Sequence, residues 1–210
     1  MDCILSTTTL ESISDDVLCL AWQEAFADYA VCATASQLLA MFKRRGYMSE
    51  VSMGAFVDNR MVSMTLNGIG SYNGMCTAYD TSTGTVMAYR RKGIAKRLFQ
   101  EILPLLKQKH VQQYILEVLT SNVNAKSLYL SIGFSVVREF CFFRQPVRDV
   151  QHKVDAKSTD TLPNIKCVEL SALPADSFVS EMWDFHPSWQ NSGESMKSKY
   201  EFYCCHLRCV

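Results

Sequence analysis

Apolar side chains recur every three or four residues in several parts of the chain, a spacing that places them on one face of an α-helix. This spacing predicts four helices, over about residues 14–27, 36–45, 93–109 and 122–131. In the third helix, Ile94, Leu98 and Ile102 mark the buried face, and Pro104 predicts a kink. The fourth helix is expected to stop at Gly133.

Short apolar runs rich in β-branched and aromatic residues lie between the helical segments. They predict strands at about residues 3–8, 51–57, 61–69, 75–85, 113–119 and 134–144. Asn73-Gly74 indicates a hairpin turn, because both residues tolerate a positive φ. The order β-α-α-β-β-β-α-β-α-β predicts an α/β domain with a mixed sheet.

The composition changes after Gln145, where residues 146–164 are polar and are typical of a linker. We therefore expect a main domain over residues 1–146, followed by a linker and a small C-terminal extension over residues 147–210. An extension of this size is marginal as an independent fold, so we expect it to pack on the main domain or on a partner chain.

Composition and charge exclude several classes of protein. Among 210 residues, 21 are Lys or Arg and 21 are Asp or Glu, and this balance argues against a general nucleic-acid binder. No run approaches the roughly 18 apolar residues of a membrane span, and no signal peptide is visible at the N-terminus, so we expect a cytoplasmic protein without membrane association. The nine cysteines and four histidines show no metal-ligand spacing, and no metal site is predicted.

The basic run Arg90–Arg97 follows a strand pattern and opens the third helix pattern. A helix N-terminus has unpaired N–H groups and a partial positive charge, so it binds anions. Gly93 and Ala95 are small enough for a diphosphate to approach the backbone. Taken alone, however, the run is more typical of a solvated basic helix end.

Residues 84–134 resemble the GCN5-related N-acetyltransferase (GNAT) superfamily, on four motifs in family order. These motifs are Thr83-Gly84-Thr85, Arg90-Arg91-Lys92-Gly93-Ile94-Ala95, Leu116-Glu117-Val118 with Asn122, and Leu128-Tyr129 with Gly133-Phe134. Residues 185–192, Phe-His-Pro-Ser-Trp-Gln-Asn-Ser, resemble a motif in the C-terminal part of bacterial two-part GNAT proteins. The extension is accordingly expected to be a partial second GNAT-like half.

The resemblance implies a GNAT-type mixed, splayed β-sheet flanked by helices, with acetyl-CoA as co-substrate. It implies that Thr83, Gly84 and Thr85 bind pantetheine through backbone groups, with Gly84 as a candidate bulge residue. The remaining residues expected to bind the cofactor are Arg90, Arg91, Lys92, Gly93, Ile94, Ala95, Lys96 and Asn122. Asn122 is also a favourable helix N-cap, and the two roles are compatible.

The resemblance also implies the catalytic groups. Tyr129 would protonate the departing thiolate, and a phenol with a pKa near 10 suits that role. Glu117 would act as general base, directly or through a water, although a glutamate facing solvent at the sheet edge is an equal alternative. Asp80, on the neighbouring strand, is the other candidate base.

Together these features predict an N-acetyltransferase that transfers acetyl from acetyl-CoA directly to a primary amine, in particular that of a small molecule. The alternative is a non-catalytic acyl-CoA-binding regulatory module. The acceptor itself stays open, because the fold does not choose it. An incomplete second half would leave an exposed edge, so a homodimer is also expected.

Overall fold

The computed structural model describes residues 4–29, 33–141, 167–169, 186–192, 195 and 202–204. Its α-helices are α1 Asp15–Ala25, α2 Ala35–Arg44, α3 Ile94–Gln108 and α4 Val123–Ser131. Its strands are β1 Leu5–Thr9, β2 Met53–Val57, β3 Arg60–Tyr72, β4 Met75–Thr85, β5 Gln113–Ile115, β6 Cys167–Glu169 and β7 Phe202–Cys204. The element order predicted from the sequence is confirmed through α4.

Helices α1, α2 and α4 begin at side chains that cap their free N–H groups, whereas α3 begins after Gly93 without a side-chain cap. The Ser14 hydroxyl accepts from the amide of Val17 at the start of α1. Thr34 and Gln37 form a reciprocal capping box at the start of α2. Such caps typically contribute about 1 kcal/mol each. Within α3, Pro104 is accommodated and the helix continues to Gln108.

The main sheet has the strand order β1-β2-β3-β4-β5. Strands β1 to β4 pair antiparallel, and β5 runs parallel to β4. The predicted hairpin joins β3 to β4, with φ of +53° at Asn73 and +74° at Gly74. Strands β6 and β7 form a separate antiparallel pair, so the described residues contain a small second sheet within the predicted extension.

The two faces of the main sheet are covered by different helices. On one face, α1 and α2 pack through Leu18, Leu38 and Phe42 against Met64 and other residues of β3. On the opposite face, α3 packs through Leu98 and Ile102 against residues of β2, β3 and β4. We call these the α1–α2 face and the α3 face. No helix in the described part of the chain is long and apolar enough to cross a membrane.

Two predicted strands differ from the structure. The run predicted as a strand over 113–119 is a strand only to Ile115, and residues 134–141 are not a strand. Residues 142–144 lie outside the described residues. An apolar run forms a strand only where a neighbour supplies the hydrogen bonds, and β4 turns away from β5 immediately after Tyr79. The linker predicted at residues 146–164 also lies outside the described residues.

Candidate active site

The edge of the main sheet opens at the middle of β4. Pairing between β4 and β5 ends at Tyr79 and Ile115. On the other side of β4, Asn67 pairs with Asp80 whereas Leu66 pairs with Ser82, so Thr81 is an additional residue, that is, a β-bulge. The next part of β4 has no strand on its β5 side among the described residues. Two of its backbone oxygens accept from arginine side chains, Thr81 from Nη1 of Arg45 at 2.6 Å and Thr85 from Nε of Arg90 at 2.8 Å. The rest of this edge can take hydrogen bonds from a ligand.

The sequence analysis predicted the bulge at Gly84, but the bulge lies at Thr81. Gly84 pairs in regular register with Met64. Its Cα lies against α1, and a Cβ added there would be 2.5 Å from Cε2 of Phe26. The glycine is thus required by the close approach of the α1 end to β4.

A buried carboxylate faces the α3 side of this opened edge. Asp80 is only 6% exposed, and its two oxygens accept from the Thr83 hydroxyl at 3.0 and 2.9 Å. Burial raises the pKa of Asp80 to about 6, against the opposing effects of its hydrogen bonds and of the Arg45 charge. This carboxyl can therefore exchange a proton near neutral pH.

Tyr129 is the second partner of that carboxylate. Its hydroxyl donates to Oδ2 of Asp80 at 3.0 Å. Its ring packs edge to face against Phe99 and Phe134, at centroid distances of 5.8 Å in both cases. Burial, reinforced by Asp80, raises the pKa of the phenol well above its ordinary value. Tyr129 therefore keeps its proton and is a hydrogen-bond donor.

Thr85 and Asn122 are both engaged within the protein. The Thr85 hydroxyl lies 2.7 Å from that of Ser63. Asn122 caps α4, as predicted, by accepting from the amide of Ala125 at 3.2 Å. Its Nδ2 donates to the hydroxyl of Tyr29 at 2.9 Å, which ties the start of α4 to the segment after α1.

The segment before α3 presents an open array of amides. Arg91 and Gly93 have left-handed φ angles of +65° and +77°, and α3 begins at Ile94. Outside regular helix and strand pairing, the backbone N–H groups of residues 91–96 donate none of the backbone–backbone hydrogen bonds found among the described residues. Gly93 faces open space. Successive free amides at a helix start form an anion site.

The cations of the basic run differ in their contacts. Arg90 forms a two-pronged ion pair with Asp28 at 2.6 Å and also donates to the backbone oxygens of Thr85 and Ala25. It thus ties α1 to the end of β4. Arg91 donates to Asn124 at 2.7 Å. The ammonium of Lys92 lies over the ring of Tyr89, and Lys96 is exposed.

Glu117 lies on the opposite side of the opened edge from Asp80. It is exposed, in the non-strand segment after β5. Its Oε1 accepts from the amide of Trp189 and its Oε2 from Nε2 of Gln190, each at 3.0 Å. The structure therefore does not bring Glu117 together with Tyr129.

The sequence analysis did not identify four residues that lie beside Glu117 at the opened edge as candidate site residues: Arg45, Tyr79, Trp189 and Gln190. The Trp189 ring stacks on that of Tyr79 at 5.1 Å with an angle of 4°. Gln190 accepts from Arg45 at 2.9 Å and donates to the Tyr79 hydroxyl at 3.0 Å. The aromatic motif at residues 185–192 was the available signal, but nothing in the sequence linked it to β4.

No ligand-like cluster suggests a metal. Among the residues that the structure describes, no group of three His, Cys, Asp or Glu side chains could hold a metal ion. The arrangement is instead a carboxyl–phenol pair beside an unpaired sheet edge, with a run of backbone amides at the start of the next helix.

Residues 83–153 match the family model described as acetyltransferase (GNAT) domain. No curated protein matches the sequence. Among solved structures, the chain is similar to the aminoglycoside N-acetyltransferase AAC(6')-Iy in complex with CoA, at 12% identity and a TM-score of 0.55. That similarity covers 69% of this chain and 97% of that chain.

Two further structures are similar to this chain. One is the NatC complex bound to Gag peptide and CoA, at 17% identity and a TM-score of 0.54, covering 64% of this chain and 86% of that chain. The other is the ribosomal-protein alanine N-acetyltransferase from Escherichia coli, at 20% identity and a TM-score of 0.51, covering 63% and 78%. At these identities the likeness shows the fold, which is the mixed GNAT fold predicted from the sequence.

Proposed function

We propose that this protein is an N-acetyltransferase that transfers an acetyl group from acetyl-CoA directly to a primary amine of a small molecule. The observation that carries the proposal is the hydrogen-bonded pair of Asp80 and Tyr129 beside the opened edge of β4. The match of residues 83–153 to the GNAT domain family supports it.

The residues present fit acetyl-CoA. The unused amides of residues 91–96 suit a pyrophosphate, with Lys92 and Lys96 as neighbouring cations. The part of β4 beyond the end of its pairing with β5 suits the amides of pantetheine, which would bind as an added strand between the Thr81 and Thr85 oxygens that Arg45 and Arg90 already use. Gly93 leaves space for close approach. Asn122 lies at the start of α4 and would contribute through its side chain.

The role of Arg90 in this site would be to hold the backbone in place, and its charge would contribute little to binding the cofactor. Its guanidinium is already engaged by Asp28 and by two backbone oxygens. It would hold the end of β4 and the start of the basic run in place. Arg91, paired with Asn124, would similarly position the amides next to it.

Acetyl-CoA supplies a thioester whose carbonyl carbon is attacked by the neutral amine. The protein must therefore accept a proton from the ammonium and provide one for the departing thiolate. The carboxylate of Asp80, with its pKa raised to about 6, suits the first task. Tyr129, which keeps its phenolic proton, suits the second. The 3.0 Å contact lets a proton pass between the two oxygens.

Glu117 remains the competing candidate for the base. Its carboxylate is exposed and both oxygens already accept hydrogen bonds from residues 189 and 190. We therefore favour Asp80, and assign Glu117 the role of an anchor.

The non-catalytic alternative, an acyl-CoA-binding regulatory module, is less well supported. A binding module has no need of a buried carboxyl with a raised pKa, since burying such a group without a function only costs stability. We further propose that residues 1–146 form the catalytic domain and residues 147–210 an extension of the two-part GNAT type, in a cytoplasmic protein that forms a homodimer. Light scattering that shows only monomer at high concentration would contradict the dimer.

The function is tested by CoA release against a panel of primary amines, comparing the wild type with Tyr129→Phe. We expect kcat to fall about 100-fold in the variant, because the proton donor is lost. Tyr47→Phe, at another partly buried tyrosine on the α1–α2 face, is the matched control and should retain activity. Calorimetry should show that CoA binds both variants within about threefold of the wild-type affinity.

Two outcomes would overturn these assignments. Equal rates in the wild type and in Tyr129→Phe would remove the tyrosine from the mechanism. A wild type that binds CoA but releases none with any amine would favour the regulatory module.

A further inference from the structure

Residues 186–192, which we call the C-terminal segment, lie across the α1–α2 side of the opened edge. Trp189 is only 4% exposed. Its ring stacks on Tyr79, its amide donates to Glu117, and its indole Nε1 donates to the backbone oxygen of Arg45 at 3.2 Å. The segment is thus fastened to β4, to the segment after β5 and to the end of α2.

Gln190 is held by partners on both ends of its carboxamide. Its oxygen accepts from Arg45 at 2.9 Å and from Arg44 at 3.4 Å. Its nitrogen donates to the Tyr79 hydroxyl and to Glu117, each at 3.0 Å. A side chain with donors and acceptors satisfied in this way has one orientation, and it is fixed next to the residue that precedes Asp80.

The front of the segment is fastened independently. Tyr72 donates to the backbone oxygen of Pro187 at 2.7 Å. Arg138 donates to the backbone oxygens of His186 at 2.6 Å and of Pro187 at 2.9 Å. The end of the β3–β4 hairpin therefore also contacts the segment, and its position does not depend on Gln190 alone.

Different side chains lie on the two faces of the sheet at the opened edge. Tyr79 and Asp80 are adjacent in β4, so their side chains point to opposite faces. The α3 face holds Asp80, Tyr129 and the anion site at the start of α3. The C-terminal segment lies on the other face, the α1–α2 face, beside the gap in which an amine must meet the thioester.

We propose that the C-terminal segment is the acceptor-side wall of the active site, with Gln190 as a specificity-determining residue and Glu117 as a positioning residue that holds it. This inference rests on the proposed function. An acceptor would pass along the wall to reach Asp80. Its bulk beside the amine would then be limited by the fixed Gln190 and by the stacked Trp189.

The charges along the wall further restrict which acceptors can bind. Among the residues that the structure describes, the charged side chains that hydrogen bond to the segment are Arg44, Arg45, Arg138 and Glu117. Three positive charges against one negative charge disfavour an acceptor that carries several ammonium groups. The wall therefore fits a compact amine with at most one positive charge better than a polyamine.

The test measures kcat/KM of full-length protein for a compact monoamine and for spermidine. We expect the wild type to prefer the monoamine. Gln190→Ala should lower the ratio of the two values about tenfold, which corresponds to about 1.4 kcal/mol, while kcat for the monoamine stays within about threefold. Gln100→Ala, an equal truncation on the exposed face of α3, is the matched control and should leave the ratio unchanged.

Glu117→Gln separates anchoring from catalysis. The variant cannot accept both hydrogen bonds, which releases Gln190, but it also removes the one negative charge of the wall, which disfavours spermidine. We therefore expect a smaller fall in the ratio than in Gln190→Ala, with kcat for the monoamine and its pH profile retained. A loss of kcat of about 100-fold together with a changed pH profile would make Glu117 the base and overturn its anchoring role. Tyr79→Phe keeps the stacked ring, removes one acceptor of Gln190, and should shift the ratio in the same direction.

The results distinguish this inference from the proposed function. If the wild type turned over amines and Gln190→Ala left the ratio unchanged, the wall would be refuted and the acetyltransferase function would stand. If the wild type turned over no amine, both would be overturned. Thermal melting of each variant identifies one that has simply failed to fold, in which case Tyr79→Phe decides.

Discussion

Two carboxylates flank the opened edge of the sheet, and the structure treats them in opposite ways. Asp80, on the α3 face, is 6% exposed, and burial raises its pKa to about 6. Glu117, on the other face, is exposed. Both accept two or more hydrogen bonds from neighbouring side chains or amides. Hydrogen bonding alone therefore does not decide which carboxylate moves protons.

The difference between them is access to water. A carboxylate in water keeps its charge easily, so hydrogen bonds to it serve mainly to position its donors. A buried carboxylate loses much of the solvation of its charge, and its pKa moves towards neutrality, where it can take and return a proton. In the proposed mechanism, the buried carboxylate of Asp80 therefore moves the protons and the exposed carboxylate of Glu117 positions its neighbours.

The largest expected effect comes from Asp80→Asn. Asparagine has the same shape but accepts no proton, so we expect kcat to fall about 1000-fold. In the wild type, the rate should decline below about pH 6, because Asp80 becomes protonated there and cannot act as a base. Steady-state kinetics of CoA release between pH 5 and pH 9 measure both.

Asp16→Asn, an exposed aspartate in the first turn of α1, is the control for the lost charge. It should leave unchanged both kcat and the decline in rate below about pH 6. If Asp80→Asn still lost rate below about pH 6, that decline would belong to another group. The contrast between the two carboxylates would then be removed.

The same substitution is expected to stabilise the fold. The native state holds the Asp80 proton more tightly than the unfolded chain, where its pKa is near 3.9. Wild-type stability therefore decreases as the pH rises from about 4 to about 6. At pH 8, Asp80→Asn should gain up to about 3 kcal/mol in the free energy of unfolding.

Urea unfolding of the wild type and of Asp80→Asn at pH 8 and at pH 4 measures this gain. The difference should vanish near pH 4, where both side chains are neutral. Glu117→Gln should show no such gain at either pH, since that side chain is exposed. An equal gain in both variants would contradict the assignment of burial to one side only.

The smallest effect is expected from a variant that leaves both carboxylates intact. Gly84→Ala places a Cβ 2.5 Å from the ring of Phe26, so α1 must shift away from β4. We expect a loss of about 1 to 3 kcal/mol in the free energy of unfolding, by overpacking. Phe26→Leu in the same chain should restore part of it. Equal stability of Gly84→Ala and the wild type would show that this contact is loose.

Much of the fold could be predicted from the sequence because its signals are local. The periodic apolar positions of α3, the Asn73-Gly74 turn and the cap at Asn122 each depend on residues a few positions apart. The strand predicted over 113–119 was too long, for a reason that is not local. Residues 116–119 are apolar enough for a strand, but their neighbour β4 has bent away.

The candidate site divides in the same way. The amides before α3 could be predicted, because a glycine at a strand-to-helix turn implies them. Tyr129 and Asp80 were both singled out in the sequence, but their contact joins residues 49 positions apart. The position of the bulge at Thr81 instead of Gly84 depends on which β4 residue loses its partner on β3, and the sequence of β4 does not contain that information.

By itself, the amino-acid sequence determined the order of the helices and strands through α4, the hairpin and the glycine turn that starts α3. Each of these is governed by backbone propensities and short spacings. Only the tertiary structure decided which carboxylate is buried and which is exposed. It also brought Gln190 to Tyr79, across 111 positions, and so gave the aromatic motif near residue 189 a place beside the site. Burial and the charge state that follows from it are properties of the packed surroundings, and these are assembled from segments far apart in the chain.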